Sequence, residues 1–476
     1  MRTFLFYDLE TTGLNKAFDQ VLHFAAIRTD AAFNEIDQHQ LSIRLRPDVI
    51  ISPRAIITHR IPVSETIRGI PEYDAMVQIH KWMNAPRTIS LGYNTLGFDD
   101  EFLRFSFHRN LLPPYTHQYA NGCKRMDILP CTVIYRIYSE DALNWPEIDG
   151  KPTLKLEHLN MANALASGRA HDAMVDVKAT VALAKRLSEQ HKIWDFLTGY
   201  FDKTTDRDRI DELPMVLQNN NESHRQGLLV SHDMGVENAY QTPVLSLGTS
   251  IPYGNQTLWL RLDLPELQKT TPETVNDTSW VIRKRIGEPP FVLPPHDRYW
   301  KRLPEQRRAL AEENLVWLST HPELFRHIIE YHRHFKYPEI PDLDADAVLY
   351  QMGFLSRQEE SLCRRFHKAP LHEKAQVADE FPRSETRTLA RRILMRNHPG
   401  AATLADESDW IRYMARVNPR NEANALVDYR GERRTTPAGA LTEIDKIKRE
   451  ETIDEEQKQL LEGLEAYLKK TFADAI

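Results

Sequence analysis

The run Phe4-Leu5-Phe6-Tyr7-Asp8-Leu9-Glu10-Thr11-Thr12-Gly13 leaves the start of this chain few options. Apolar and aromatic residues continue until two acids appear, two positions apart, and a Thr-Thr-Gly turn ends the run. Such a run reads as a buried β-strand. Side chains alternate faces along a strand, so Asp8 and Glu10 project on the same side, beyond the last hydrophobic layer. Two like charges there repel, and a divalent cation between them removes the repulsion. Carboxylate oxygens are hard ligands that suit magnesium or manganese. Two solvated acids on a loop give the same spacing, so a metal site needs further acids from elsewhere in the chain.

Further acids do arrive. Residues 88–93 read as a strand ending at Gly92-Tyr93-Asn94, and Phe98-Asp99-Asp100-Glu101-Phe102-Leu103-Arg104 enters a helix. Acids in a first helical turn are favoured by the macrodipole, which accounts for Asp100 and Glu101. Asp99, at the junction of strand and helix, can face the strand end that carries Asp8 and Glu10. Later, His171-Asp172-Ala173-Met174-Val175-Asp176 leads into Val177, Val181, Ala184 and Leu187 at helical spacing. His171 and Asp176 lie about 140° apart around an ideal helix and do not share a helical face. Asp172 fits the N-cap, Asp176 the first turn and His171 the preceding loop, from which histidine and acid converge on one cleft.

The set Asp8-x-Glu10, Asn94-x3-Phe98-Asp99 and His171-x4-Asp176 resembles the DEDDh family of 3′-to-5′ exonucleases. Phe6-Tyr7-Asp8-Leu9-Glu10-Thr11, Leu91-Gly92-Tyr93-Asn94, Phe98-Asp99-Asp100-Glu101, Asn144-Trp145-Pro146-Glu147, Leu156-Glu157-His158-Leu159 and Ala170-His171-Asp172-Ala173-Met174 resemble, more narrowly, the bacterial exonuclease I family. This resemblance implies an α/β ribonuclease-H-like nuclease domain over 1–190, a β-rich SH3-like domain over 191–343 and an α-helical C-terminal domain over 344–476. It implies hydrolysis of single-stranded DNA from the 3′ end to 5′-mononucleotides, with two Mg2+ ions that Mn2+ replaces. Asp8 is the expected bridging ligand, with Glu10 and Asp176 on the cation that holds the water. Asp99 completes the second site, and His171 takes the proton from the water. Glu10, Lys155, Arg104, Tyr115 and Tyr119 are the expected substrate contacts. Lys155 stands where an arginine is expected before Leu-Glu-His-Leu, and lysine keeps the charge but loses the bidentate fork. The family also implies docking of the acidic C-terminal tail of the single-stranded DNA-binding protein, and service in DNA repair and recombination.

The rest of the chain is consistent with that outline. Its 476 residues exceed what one core organises. No apolar run approaches the ~20 residues that span a bilayer, so no membrane partner is expected. The N-terminus enters a strand with no signal-peptide pattern, and the three cysteines have neither metal-ligand nor disulfide spacing. A cytoplasmic monomer is expected. A net charge of −7 argues against a polyanion-binding surface over the whole molecule but permits a local basic groove. Residues 21–29 read as a second strand, Leu41, Ile43 and Leu45 as the inward residues of a third, 53–62 as loop and 72–84 as helix. Residues 202–224 read as a charged connection and 226–302 as short strands. Arg283-Lys284-Arg285 and Arg298-Tyr299-Trp300-Lys301-Arg302 interleave cations and rings as a single-strand platform does. From Asp344 the pattern is helical, closing on an amphipathic helix through Leu460, Leu461, Leu464, Tyr467 and Leu468.

Three other readings compete. An RNA-trimming DEDDh enzyme is usually a nuclease domain alone, unlike this longer chain. A catalytically idle module that holds nucleic-acid ends has no need of all five site residues. A polymerase proofreading subunit calls for a polymerase-binding tail instead of two further domains.

Overall fold

The computed structural model describes residues 2–219 and 221–476. It comprises two compact units, Met1–Arg125 with Ala166–Val181 and Glu339–Ile476, and Met126–Leu165 with Ala182–Pro338.

The first unit is built on a five-stranded sheet of β1 (Thr3–Thr11), β2 (Val21–Thr29), β3 (Glu35–Ser42), β4 (Thr88–Leu91) and β5 (Lys124–Arg125), in the order β3-β2-β1-β4-β5. β1 is central, antiparallel to β2 and parallel to β4. The third strand lies upstream of its expected position. After Ser42 the backbone turns to other partners, with Arg44 N–H bonded to the Ile70 carbonyl and Leu45 N–H to that of Thr66. α1 (Pro53–His59) occupies the segment expected as loop. Ser52 caps it by accepting from Arg54 N–H, and Pro53 sits at a first-turn position that needs no N–H. α2 (Val63–Thr66), α3 (Glu72–Met83) and α4 (Asp99–Arg109) follow.

Alternation along β1 sorts its residues as expected. Leu5, Tyr7 and Leu9 pack with Phe24, Met76, Ile79, Phe102 and Phe107 beneath α3 and α4. Phe4 and Phe6 point the other way, against Phe33, with ring centroids 5.2 and 5.8 Å away. Asp8 and Glu10 continue that second column past its aromatic base.

Residues from Glu339 onward complete the same unit. Ile56 and Ile57 of α1 share a core with Ile444, Leu461 and Leu464. Tyr73 and Leu111 share another with Phe366, Leu389 and Ile393. A buried ionic chain runs between these layers. Arg396 meets Asp48 at 2.7 Å and also Asp346, while Arg46 and Arg109 both meet Glu72, at 3.2 and 3.1 Å. Each of these buried charges faces an opposite one, the condition for keeping ions out of water.

The second unit holds a two-stranded ribbon, β6 (Glu147–Ile148) with β7 (Lys151–Pro152), and a larger sheet. That sheet runs β12 (Val281–Arg285), β11 (Gln256–Arg261), β10 (Gln241–Thr249), β9 (Glu222–Val230) and β13 (Phe291–Leu293), with β8 (Met215–Asn219) paired to β9. The expected charged connection is instead a helix, Lys203–Asp211, followed by β8. Asp202 caps the helix by accepting from Thr204 and Thr205 N–H. Lys284 leaves the expected basic platform, because its side chain is buried and paired with Asp206 at 2.6 Å. Arg283 lies over the Phe335 ring, 4.6 Å from its centroid. Helices Glu305–Thr320 and Pro322–His334, absent from the sequence reading, share a core with Leu245, Leu258 and Leu260 through Leu318, Phe325 and Ile328. Among the described residues no helix is long and apolar enough to cross a membrane.

Candidate active site

β1 delivers Asp8 and Glu10 to one side of the sheet, and two glycines make their surroundings possible. At Gly92 a Cβ would stand 2.5 Å from the Tyr7 carbonyl oxygen, so only glycine lets the chain leaving β4 approach β1 beside Asp8. At Gly13 a Cβ would stand 2.4 Å from Asp19 Oδ2. Asp19 there accepts from Asn15 N–H at 2.8 Å and from the Thr12 hydroxyl at 3.3 Å, which fixes the turn that follows Glu10.

Asp176 comes from the helix Ala173–Ser188. Asp172 caps that helix by accepting from Met174 and Val175 N–H at 3.0 and 3.4 Å, as its spacing predicted. His171 precedes the cap on the loop, at φ 60° in the left-handed region. Its backbone N–H donates to Asp176 Oδ2 at 3.2 Å, tying the histidine to the acid. A non-glycine residue in that conformation is held by its surroundings, and such residues concentrate at functional sites.

Asp8, Glu10 and Asp176 each offer a carboxylate oxygen, and the three oxygens lie within 4.8 Å of one another. Asp99, the first residue of α4 and 5% exposed, acts on the same spot. Burial, then the charges of Asp99, Glu10, Asp176 and Asp172, hold the Asp8 carboxyl well above the usual range. Burial, then Asp176, Asp99 and Asp172, push Glu10 up to about 9. Acids so close fit a divalent ion: they supply hard oxygen donors and a negative field that a cation would relieve. The structure therefore brings together Asp8, Glu10 and Asp176 in contact range, Asp99 through its field, and His171 through its bond to Asp176.

The expected substrate contacts divide. Arg104 turns inward rather than toward a strand. It is 4% exposed and meets Asp100 at 2.6 Å. Asp100, explained from sequence by the helix dipole, is the centre of a buried cluster, with Arg125 at 2.5 Å and His117 at 2.7 Å. Burial alone would raise its pKa, but Arg104, Arg125 and His117 hold it far below the ordinary carboxylate range. Tyr115 and Tyr119 line an apolar cavity of about 690 Å³ together with His80, Lys81, Tyr350 and Phe354. Tyr119 is 67% exposed there and Phe354 87%. Lys155, in the second unit, immediately precedes the helix Leu156–Asn163, and its ammonium lies 3.8 Å from Glu157.

Two histidines escaped the sequence reading. His59, at the end of α1, is buried, and its imidazole is pushed down to about 3 by burial, then by His23 and His171. His23 sits opposite Glu10 in the β1–β2 register. Strand pairing brings it there, and no local signal in the sequence marks it.

Comparison with known proteins adds independent findings. A family described as exonuclease matches residues 5–184, and one described as exonuclease I C-terminal domain matches residues 343–471. Exodeoxyribonuclease I of Escherichia coli is 28% identical over 439 residues, which is 87% of this chain and 90% of that protein. Exodeoxyribonuclease I of Haemophilus influenzae is 35% identical over 198 residues, which is 41% of this chain and 42% of that one. A crystal structure of E. coli exonuclease I in complex with a dT13 oligonucleotide superimposes with a TM-score of 0.84 at 25% identity, covering 99% of this chain and 100% of that one.

Proposed function

We propose that this chain, which belongs to the exonuclease I family and is an exonuclease, removes 5′-mononucleotides from the 3′ end of single-stranded DNA. The observation that carries the reading is the convergence of the Asp8, Glu10 and Asp176 carboxylates within 4.8 Å, under the field of Asp99. The superimposed relative was crystallised with a dT13 oligonucleotide, which supports single-stranded DNA as substrate.

Asp8, Glu10 and Asp176 would hold one divalent cation, and Asp8 with Asp99 a second. We take these to be Mg2+, with Mn2+ as a substitute. When bound, such cations supply the positive charge that phosphodiester hydrolysis needs at its attacking and departing oxygens. The protein's own groups do the rest. His171, tethered to Asp176 through its backbone, accepts the proton of the attacking water. The fixed acids allow little rearrangement as charge develops. Tyr119 and Tyr115 offer ring faces to bases, and Lys155 a cation to the backbone. Arg104 acts through Asp100 instead. Glu10 is also proposed to contact the terminal nucleotide.

The three-part organisation, 1–190, 191–343 and 344–476, is retained as part of the proposal. It is supported by family matches that end at 184 and begin again at 343. Family kinship likewise supports a monomer in the cytoplasm that serves repair and recombination and docks the acidic tail of the single-stranded DNA-binding protein. Digestion of 3′-end and 5′-end labelled single-stranded DNA, with RNA and blunt duplex beside it, tests the reaction in magnesium and in EDTA. Metal-dependent mononucleotide release from the 3′ end of single-stranded DNA is expected. Tight binding without cleavage in either metal would refute the enzyme, and preference for RNA would refute the substrate.

A further inference from the structure

Three consecutive acids open α4, and each has its own partners. Asp99 belongs to the acidic site and Asp100 to the Arg104–Arg125–His117 cluster. Glu101 faces neither. Its Oε1 accepts from the Tyr350 hydroxyl at 3.0 Å, both its oxygens accept from the Tyr429 hydroxyl at 3.2 and 3.3 Å, and its Oε2 accepts from Arg430 Nη2 at 3.1 Å. Tyr350 and Tyr429 meet edge to face at 4.8 Å, and Phe105, one turn further along α4, packs on both, at 5.3 and 5.2 Å. The Glu101 side chain is 14% exposed. A macrodipole accounts for an acid in this turn, but not for three donors that come from 249 to 329 residues away to meet it. The Lys16 ammonium, in the segment that follows the Asp8-x-Glu10 strand, lies 4.5 Å from the Phe98 ring centroid and within the field of Glu101 and Arg430.

We infer that Glu101 is a positioning residue: its bonds to Tyr350, Tyr429 and Arg430 fix the first turn of α4 and so set where the Asp99 carboxylate stands for a divalent cation. A helical turn moves as one hydrogen-bonded piece, so an anchor two residues along governs Asp99 without touching the cation. Residues after 339 thereby tune the nuclease site through protein contacts alone. The inference rests on the proposed reading of Asp8, Glu10, Asp99 and Asp176 as cation ligands.

Calorimetric titration of Mn2+ into the full-length, metal-free protein, without nucleic acid, tests it. Removing a group that orients a ligand typically weakens metal binding about 10-fold or more, and about 10-fold is expected for Glu101→Ala. Tyr429→Phe, far from the acids in sequence, shifts affinity in the same direction by less, and Glu101→Gln, which keeps acceptor capacity, falls between Glu101→Ala and wild type. Raising Mn2+ to saturation restores kcat on single-stranded DNA, with KM for DNA unchanged. Thermal unfolding of the metal-free variants runs in parallel, because a merely structural role moves the melting temperature and leaves Mn2+ affinity alone. Wild-type Mn2+ affinity in both Tyr429→Phe and Glu101→Gln overturns the inference even if Glu101→Ala fails to fold. If the wild-type protein itself binds no Mn2+, the ligand reading fails first and takes this inference with it.

Discussion

Glu10→Gln is expected to make the metal-free protein more stable at neutral pH, because burial, and then the acids around it, resist the ionisation of Glu10. Its folded pKa of about 9 lies above the ordinary value of 4.5, so the folded state binds a proton that the unfolded state has lost. For an acid with a raised folded pKa, stability falls as pH rises between the two values. The window therefore opens near pH 4.5 and closes near pH 9. Within it the slope is about 1.4 kcal/mol per pH unit, which amounts to about 2.5 kcal/mol between pH 5 and pH 7. Glutamine keeps the shape and cannot ionise, so the variant lacks this slope and the difference between variant and wild type displays it. Urea unfolding of both proteins in EDTA, at half-unit steps from pH 5 to pH 8, measures it. The variant gains on the wild type as pH rises, and saturating Mg2+ closes the gap by stabilising the wild type. Parallel stability curves across this range, or a variant that loses ground with rising pH, would refute the reasoning that burial, with repulsion from the neighbouring acids, holds Glu10 protonated in the metal-free protein.

Other outcomes follow from the same geometry. His171→Ala should lower kcat by about 100-fold or more while Mn2+ affinity stays unchanged, as single-turnover cleavage and calorimetry together will show. Asp100→Ala leaves Arg104 and Arg125 buried beside a lost partner and should cost about 3–5 kcal/mol of stability, measured by urea unfolding. Lys155→Ala should weaken oligonucleotide binding and reduce the slope of log affinity against log salt by about 0.7, the contribution of one phosphate contact on a single strand. An unchanged slope would exclude Lys155 from the strand path.

The acidic site was legible because each of its parts is local. Period-two alternation places Asp8 and Glu10 on one face whatever the strand packs against. The Asp172 cap sets Asp176 in a first turn by spacing alone. What stayed hidden depends on partners distant in sequence. Arg104 looked available to a strand because nothing near it announces that Asp100 will claim it. Lys284 looked like a surface cation beside Arg283 and Arg285 until Asp206 was found against it. Helix α1 was missed because Pro53 and Ser52 look equally at home in a loop, and its apolar residues gain their value from Ile444 and Leu461.

The sequence by itself determined the local placement of the proposed site residues: four acids at strand and helix ends and a histidine on the loop before a helix, set by short-range periodicity and capping. Only the tertiary structure decided which of the three acids opening α4 serves which purpose. A residue's propensity and charge are local properties, whereas whether a carboxylate meets a cation site, an arginine cluster or two tyrosines depends on chain segments brought together from hundreds of residues away.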